Sequence, residues 1–339
     1  MYKIFVPEPI PTIPLVAFLV EHLQEGNKLF QALSPQAYEG IFERVSDASA
    51  ADIIVMPHEY LYLRRHPQYL SQWQERARGV RKLLLISAYQ DDPHPIAIQG
   101  AIIIRPSAYR VSLNKDEILM PAYVEDVGKQ WGREPLPKGT RPIVSFAGKA
   151  GFSGFKEQLQ YAVRNYIVRH GPHKQGMYFR RHALAALAAD PRIELNTIVR
   201  KYYSAHRRTV EVPLAQVREE YIRSIQGAHF ILAPRGDGNY SLRFYETLSL
   251  GRIPILIDTD MPLPLQDYID YDAFIVRVPW QDVDRIGDYI VRFFEGHSDT
   301  EFIEVQQKAR NAFESYFFMP RFLSYLFTKI LPERIPLFP

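Results

Sequence analysis

A chain of 339 residues is longer than one hydrophobic core usually serves, so two domains of roughly 150 residues are expected. An apolar fraction of 47% and a charged fraction of 23% exclude long disorder, and a formal charge of +3 gives no general case for binding nucleic acid, leaving only a local basic patch to meet phosphates or an anionic surface. Cysteine is absent, which points to a reducing, cytoplasmic setting, and neither a signal peptide nor an apolar run of eighteen residues is visible, so any membrane contact is expected to be peripheral.

The elements read in chain order as two series of strands and helices. Lys3 to Val6 is a short apolar strand, and Ala51 to Met56 and Lys82 to Ser87 are apolar runs rich in isoleucine and leucine, typical of strands buried on both faces. Pro67 to Arg78 has helical spacing between them, and Ala101 to Arg105 is a fourth strand after the loop Gln90 to Gly100. Gly128 to Pro142, rich in Gly, Pro and charge, is the expected linker. Beyond it Ile143 to Ala147, His229 to Ala233, Ile253 to Ile257 and Ala273 to Val278 read as strands. Glu157 to Arg169, Arg181 to Ala189, Val217 to Gly227 and Ser241 to Leu250 read as helices, and Thr300 to Ile330 as two more divided at Pro320. The alternation predicts an α/β chain with parallel sheets and right-handed crossovers, as two doubly wound domains facing a cleft.

The stretch with chemistry is Ala228 to Asp258, one strand-loop-helix-strand unit. Its loop falls at the carboxyl edge of the strands, where ligands bind in such sheets. Gly236 and Gly238 let the backbone turn and approach a ligand, and Asn239 or Ser241 can cap the next helix, whose amino end favours a phosphate. On that helix Leu242, Phe244, Tyr245 and Leu248 read as one apolar face, with Arg243 and Glu246 on the other. A cation beside a leaving diphosphate and a carboxylate for ribose hydroxyls are what a nucleotide-sugar transferase needs, and Arg235 offers a second cation. The same pair also reads as an ordinary surface ion pair.

The run APRGDGNYSLRFYETLSLGRIPILID resembles the signature of the exostosin family, glycosyltransferase family 47. The similarity extends upstream through Tyr221 to Ile231, downstream to Phe274 to Pro279, and to Ser145–Lys149, where Lys stands in place of the family's Arg. Met56 to Tyr62 and Met120 to Asp126 resemble elements of its first domain more loosely. The resemblance implies a GT-B fold of two Rossmann-like domains, 1–135 for the acceptor and 141–315 for the donor, with a final helix, 316–339, crossing back to the first. It further implies an inverting transferase that needs no metal, with no cofactor beyond a nucleotide-sugar co-substrate such as a UDP-sugar, and a glycan or glycolipid acceptor. Glu246 would hold the donor ribose, and Arg235, Ser241, Arg243 and Lys149 the diphosphate, with Gly236 in the donor loop.

Inverting transfer also needs a base for the acceptor hydroxyl. Asp91 and Asp92 past one strand, Glu59 and His58 past another, and Asp237 in the donor loop are the candidates, each also readable as a solvated loop acid. Asp258-Thr259-Asp260 matches a metal-binding Asp-x-Asp but reads equally as a loop of capping acids. The ten histidines show no metal spacing. Arg200, Lys201, His206, Arg207 and Arg208 offer a basic group for an anionic acceptor or a solvated face. Tyr202, Tyr203 and the aromatics of Phe313 to Phe318 can stack on sugar rings or press on a membrane surface, with helix packing the preferred reading of the second cluster. The signatures of serine hydrolases and P-loop enzymes are absent. A non-catalytic carbohydrate-binding scaffold and a sugar-nucleotide epimerase are the competing functions.

Overall fold

The computed structural model describes residues 1–20, 35–202 and 214–334. Tyr203, His206, Arg207 and Arg208 lie outside the described residues. The chain forms two compact units: Met1–Glu125 with Pro262–Leu265 and Ser315–Pro339, and Asp126–Met261 with Gln266–Glu314.

The first unit is built on strands β1 (Tyr2–Phe5), β2 (Phe42–Arg44), β3 (Ile53–Val55), β4 (Leu84–Ser87), β5 (Ala101–Arg105) and β6 (Glu117–Leu119), in the order β2-β1-β3-β4-β5-β6 and parallel throughout. The isoleucine and leucine runs of β3, β4 and β5 are wholly buried, as their lack of alternation requires. The helix Pro67–Gly79 starts on a proline whose missing N–H costs nothing there, and it sets Trp73 and Ala77 on the same core, with Phe5 5.6 Å from Trp73. The carboxyl-terminal segment belongs to this unit and seals one end of its sheet: the Phe327 ring lies 5.6 Å from Tyr2 and 5.3 Å from Phe42. Phe313 and Phe317 are fully buried, so that aromatic cluster serves packing.

The second unit carries β7 (Ile143–Lys149), β8 (Glu194–Arg200), β9 (Phe230–Leu232), β10 (Ile253–Asp258) and β11 (Val276–Pro279) in the order β11-β10-β9-β7-β8, again all parallel. In each sheet the chain first steps outward one way and then returns to build the other side. The reversal falls between β1 and β3 in the first sheet and between β7 and β9 in the second. At such a switch point the flanking loops diverge and open a crevice beyond the carboxyl ends of the strands. The class is thus α/β with two doubly wound parallel sheets, as expected.

Three strands and one long helix escaped the sequence reading. Strands β2, β6 and β8 lie at sheet edges or carry polar residues that break an apolar run, as in FER, EIL and ELNTIVR. The helix Ile286–Glu295 is strongly amphipathic but follows directly on a short turn of 3-10 helix that blurs its start. The stretch from Gly128, expected as a linker, lies inside the second unit and begins within the helix Val127–Trp131. At that point Arg310, 7% exposed, grips Asp126 in bidentate fashion at 2.5 and 2.8 Å, donates to Glu314 at 2.6 Å and also reaches the Ser249 carbonyl.

The first sheet holds one fully buried ion pair, Arg105 with Glu117 at 2.6 Å. The same guanidinium donates to the carbonyl oxygens of His94, at 2.6 Å, and Asp92. Glu117 in turn accepts from the N–H groups of Ile96 and Asn114. The loop after β4 is therefore moulded around one cation. Removing one partner of a buried pair leaves an uncompensated charge, so Arg105→Met is expected to lower the unfolding free energy by about 3–5 kcal/mol in urea titration.

Candidate functional site

The second switch point is framed by the end of β7, Ser145 to Lys149, and by the loop Ala233 to Ser241 after β9. Parallel strands ending inside a fold leave carbonyl oxygens that need donors. Arginines supply them. Arg180, on the helix Gly176–Ala189, donates to the carbonyls of Lys149 and Arg235, both at 3.2 Å, and so ties the two sides of the crevice together. Arg243 donates to the Ala147 carbonyl at 2.7 Å and lies over the Phe146 ring at 4.5 Å. Gly148 makes that reach possible, because a Cβ there would stand 2.6 Å from the Arg243 guanidinium. Gly176 is needed for a similar reason: a Cβ would fall on the carbonyl oxygen of Arg235.

Arg235 is 1% exposed, and its guanidinium donates at 3.3 Å to the carbonyl of Asp237 in its own loop and, also at 3.3 Å, to that of Pro172 in the turn Gly171–His173. Ser241 is the residue preceding the helix Leu242–Ser249, yet its side chain makes no capping bond. Asn239 does not cap either. It joins the loop to the end of β10, donating to the carbonyls of Thr259 and Asp260 and accepting from the Thr259 hydroxyl at 2.7 Å. The expected apolar face is made by Phe244, Tyr245 and Leu248, whereas Leu242 is 40% exposed and leaves it, because it stands at the helix's solvent-facing start.

Arg243 and Glu246 are not the surface ion pair that their spacing also allowed. Glu246 is 15% exposed at its side chain and takes Arg218 at 2.6 Å and the Tyr221 hydroxyl at 2.5 Å, both from the helix Leu214–Gln226. Burial first, and then the Glu246 carboxylate, drives the Tyr221 hydroxyl well above its ordinary range, so it stays a donor. Arg218 and Tyr221 are site residues that the sequence reading passed over, although the similarity reached Tyr221; their spacing of three on the preceding helix was the available signal.

Lys149 extends from the end of β7 to Glu157 at 2.5 Å. Burial opposes ionisation of Glu157, but hydrogen bonds from Lys149 and from the N–H and hydroxyl of Ser153 overcome it and hold the carboxyl at about 2. The pair lines a pocket of about 180 Å³ together with Arg164, Gln175, Met177 and Asp237. Asp237 is exposed at its rim. Asp258 is engaged away from this pocket, accepting from the Met261 N–H at 3.2 Å and facing Arg277 at 3.5 Å. Among the described residues no cluster of His, Asp and Glu is arranged to hold a metal ion. Nor does any helix there have the length and apolarity to cross a membrane.

At the first sheet's switch point His58 bonds the Ile10 N–H at 2.8 Å and the Pro14 carbonyl at 3.0 Å, fastening the loop after β1 to that after β3. Glu59, next to it, accepts from the Ser87 hydroxyl and the Tyr89 N–H, both at 2.9 Å, beyond the end of β4. Burial raises its carboxyl above the usual value against those two bonds. Asp92 behaves oppositely. Burial is outweighed by the N–H and ring of His94, 3.0 and 2.6 Å away, and its carboxyl is held low. Asp91 is exposed beside it and its carbonyl accepts from Ser107.

The model of the Exostosin GT47 domain matches residues 106–293, just over half of the chain. The chain belongs to the exostosin family. It is similar to the Exostosin-1 homolog of Caenorhabditis elegans, 29% identical over 118 residues that make up 35% of this chain and 30% of that one. It is likewise similar to Exostosin-1 of Drosophila melanogaster, 27% identical over 122 residues, 36% of this chain and 16% of the fly protein. The match thus spans less than a third of either relative. Among solved structures, Anabaena Alr3699/HepE in complex with UDP and glucose covers 92% of this chain and 84% of its own at 8% identity and a TM-score of 0.37, a likeness too distant to carry an argument. The exostosin match includes β7, β9, β10 and the whole Arg235–Glu246 segment, so the second switch point lies entirely within the family's domain.

The raised Glu59 carboxyl has a consequence for stability. A group whose folded value lies above its ordinary 4.5 gives its full contribution below that value and loses it as pH rises through the folded one. Glu59→Gln stays neutral throughout. Its urea midpoint should therefore rise relative to the wild-type midpoint between about pH 5 and about pH 8; a difference independent of pH would remove the assignment.

Proposed function

We propose that this exostosin-family chain is an inverting glycosyltransferase that moves a sugar from a nucleotide-sugar donor, a UDP-sugar, to a hydroxyl of a glycan or glycolipid acceptor in surface-glycan assembly, working without a metal. The observation that carries this reading is the convergence at the second sheet's switch point of Lys149, Arg180, Arg235 and Arg243 with a partly buried carboxylate, Glu246, on a segment matched by the family. In the reaction an acceptor oxygen forms a bond to the anomeric carbon while the bond from that carbon to the diphosphate oxygen breaks. The acceptor proton passes to a carboxylate, and the departing diphosphate gains negative charge.

The residues suit those parts unequally. Arg243 keeps one guanidinium edge on Ala147 and has further donor capacity for a phosphate oxygen. Lys149 reaches a donor diphosphate by releasing Glu157, which exchanges one anion for another at little electrostatic cost. Arg180 and Arg235 act on the backbone instead, fixing the loop and adding field without direct contact. Glu246, oriented by Arg218 and Tyr221, presents its carboxylate to ribose hydroxyls. On the first unit Glu59 is the acid whose environment suits a base, because burial brings its affinity for a proton towards working pH, whereas Asp92 is held too acidic.

Calorimetric titration of UDP, GDP, ADP and CMP, with and without EDTA, tests the reading. UDP is expected to bind, and to bind equally in EDTA. Arg243→Ala and Glu246→Ala should each weaken that binding by about 1–3 kcal/mol, the cost of losing a charged hydrogen-bond partner. Binding of none of the four nucleotides would favour a carbohydrate-binding scaffold, and conversion of the sugar without an acceptor would favour an epimerase.

A further inference from the structure

The helix Phe155–Ala162 in the second unit buries none of its residues, and large apolar side chains on it are exposed. The chain from Phe155 to Val168 is helical throughout, an α-helix over Phe155–Ala162 that widens into a π-turn over Val163–Val168, and Asn165 is its one buried residue. Asn165 fixes the widening by donating to the Tyr161 carbonyl and exchanging bonds with Gln175. Phe155, Leu159 and Val163 recur at intervals of four and are followed by Tyr166 and Ile167, so they share one side of the helix. They are 79%, 54%, 40%, 58% and 69% exposed. A short helix that buries so little of its apolar side is marginal in water by itself, and a contiguous apolar patch of this kind marks a contact surface.

Its charge indicates what covers it. Between Phe152 and Gln175 stand Lys156, Arg164, Arg169 and Lys174 against one acid, Glu157, and that acid is paired with Lys149. A second copy of the chain would bring the same cations against these, which disfavours self-association through this face. Apolar side chains on one side with basic residues beside them is the pattern of a helix lying in the headgroup region of an anionic bilayer.

We infer that the Phe155–Val168 helix seats the second unit on an anionic lipid surface, with Phe155, Leu159 and Ile167 entering the interface and Lys156 and Arg169 meeting the headgroups. The inference does not depend on the transferase reading, since it uses none of the residues assigned to the donor.

Co-sedimentation of the full chain with vesicles of phosphatidylcholine, alone or doped with phosphatidylglycerol, tests it. The chain should sediment with the doped vesicles, less with the neutral ones, and less in high salt. The double variants Phe155→Ser/Ile167→Ser and Lys156→Glu/Arg169→Glu should each lower the bound fraction about tenfold on doped vesicles. The melting temperatures of both should stay as in wild type, and so should the UDP titration of Phe155→Ser/Ile167→Ser, because these two exposed apolar side chains are not among the donor residues. Leu159→Gln repeats the test at a third point of the stripe. Failure to sediment with either vesicle, or sedimentation unchanged in both double variants, would overturn the inference. So would a dimer in sedimentation velocity that Phe155→Ser/Ile167→Ser dissolves, which would give the face to a second copy.

Discussion

The second unit depends on how the carbonyl oxygens at the ends of two neighbouring parallel strands are satisfied. At β7 and β9 the chain reverses its direction of sheet building, so no crossover helix covers both ends together. Arg180 and Arg243 take that place, each donating to backbone at the point where the loops part. The arrangement makes the fold and the charge of the site one feature. A protein that needed only to satisfy those carbonyls could use neutral donors; here the satisfaction leaves a concentration of positive charge beyond the carboxyl ends of the strands.

That solution sets demands on nearby sequence. Gly148 and Gly176 must lack side chains because guanidinium and carbonyl groups occupy the space, and Phe146 provides the flat surface on which Arg243 rests. Glu246 is then withdrawn from Arg243, although the two are only three residues apart on one helix, and held by Arg218 and Tyr221 from the neighbouring helix. The carboxylate and the cation of the motif act as two separate instruments, each with its own support.

The class and most of the elements were legible because buried parallel strands advertise themselves as unbroken apolar runs, as in IIV of β3 and LLIS of β4. The loop after β9 was legible through its glycines and the family pattern around them. Edge strands were not, since β8 alternates half-buried and exposed positions with polar residues. Arg180 and Arg218 were invisible for another reason. Each sits on a helix whose relevance is set by what lies beside it in the fold, and sequence spacing records only neighbours along one helix. Arg105 shows the same limit in the first unit: it looked like the end of a strand, and it is the centre around which the loop bearing Asp91 and Asp92 is moulded.

The grip of Arg310 on Asp126 and Glu314 bears on how such a chain could have been assembled. Asp126 opens the second unit and Glu314 closes it, so both ends of this long passage meet at a single guanidinium. A unit whose two ends adjoin can be inserted into a host chain, or exchanged for a counterpart, without stretching either junction. Counterparts of the second unit could therefore be traded at this point while the first sheet, packed by its own carboxyl-terminal segment, kept its strand order.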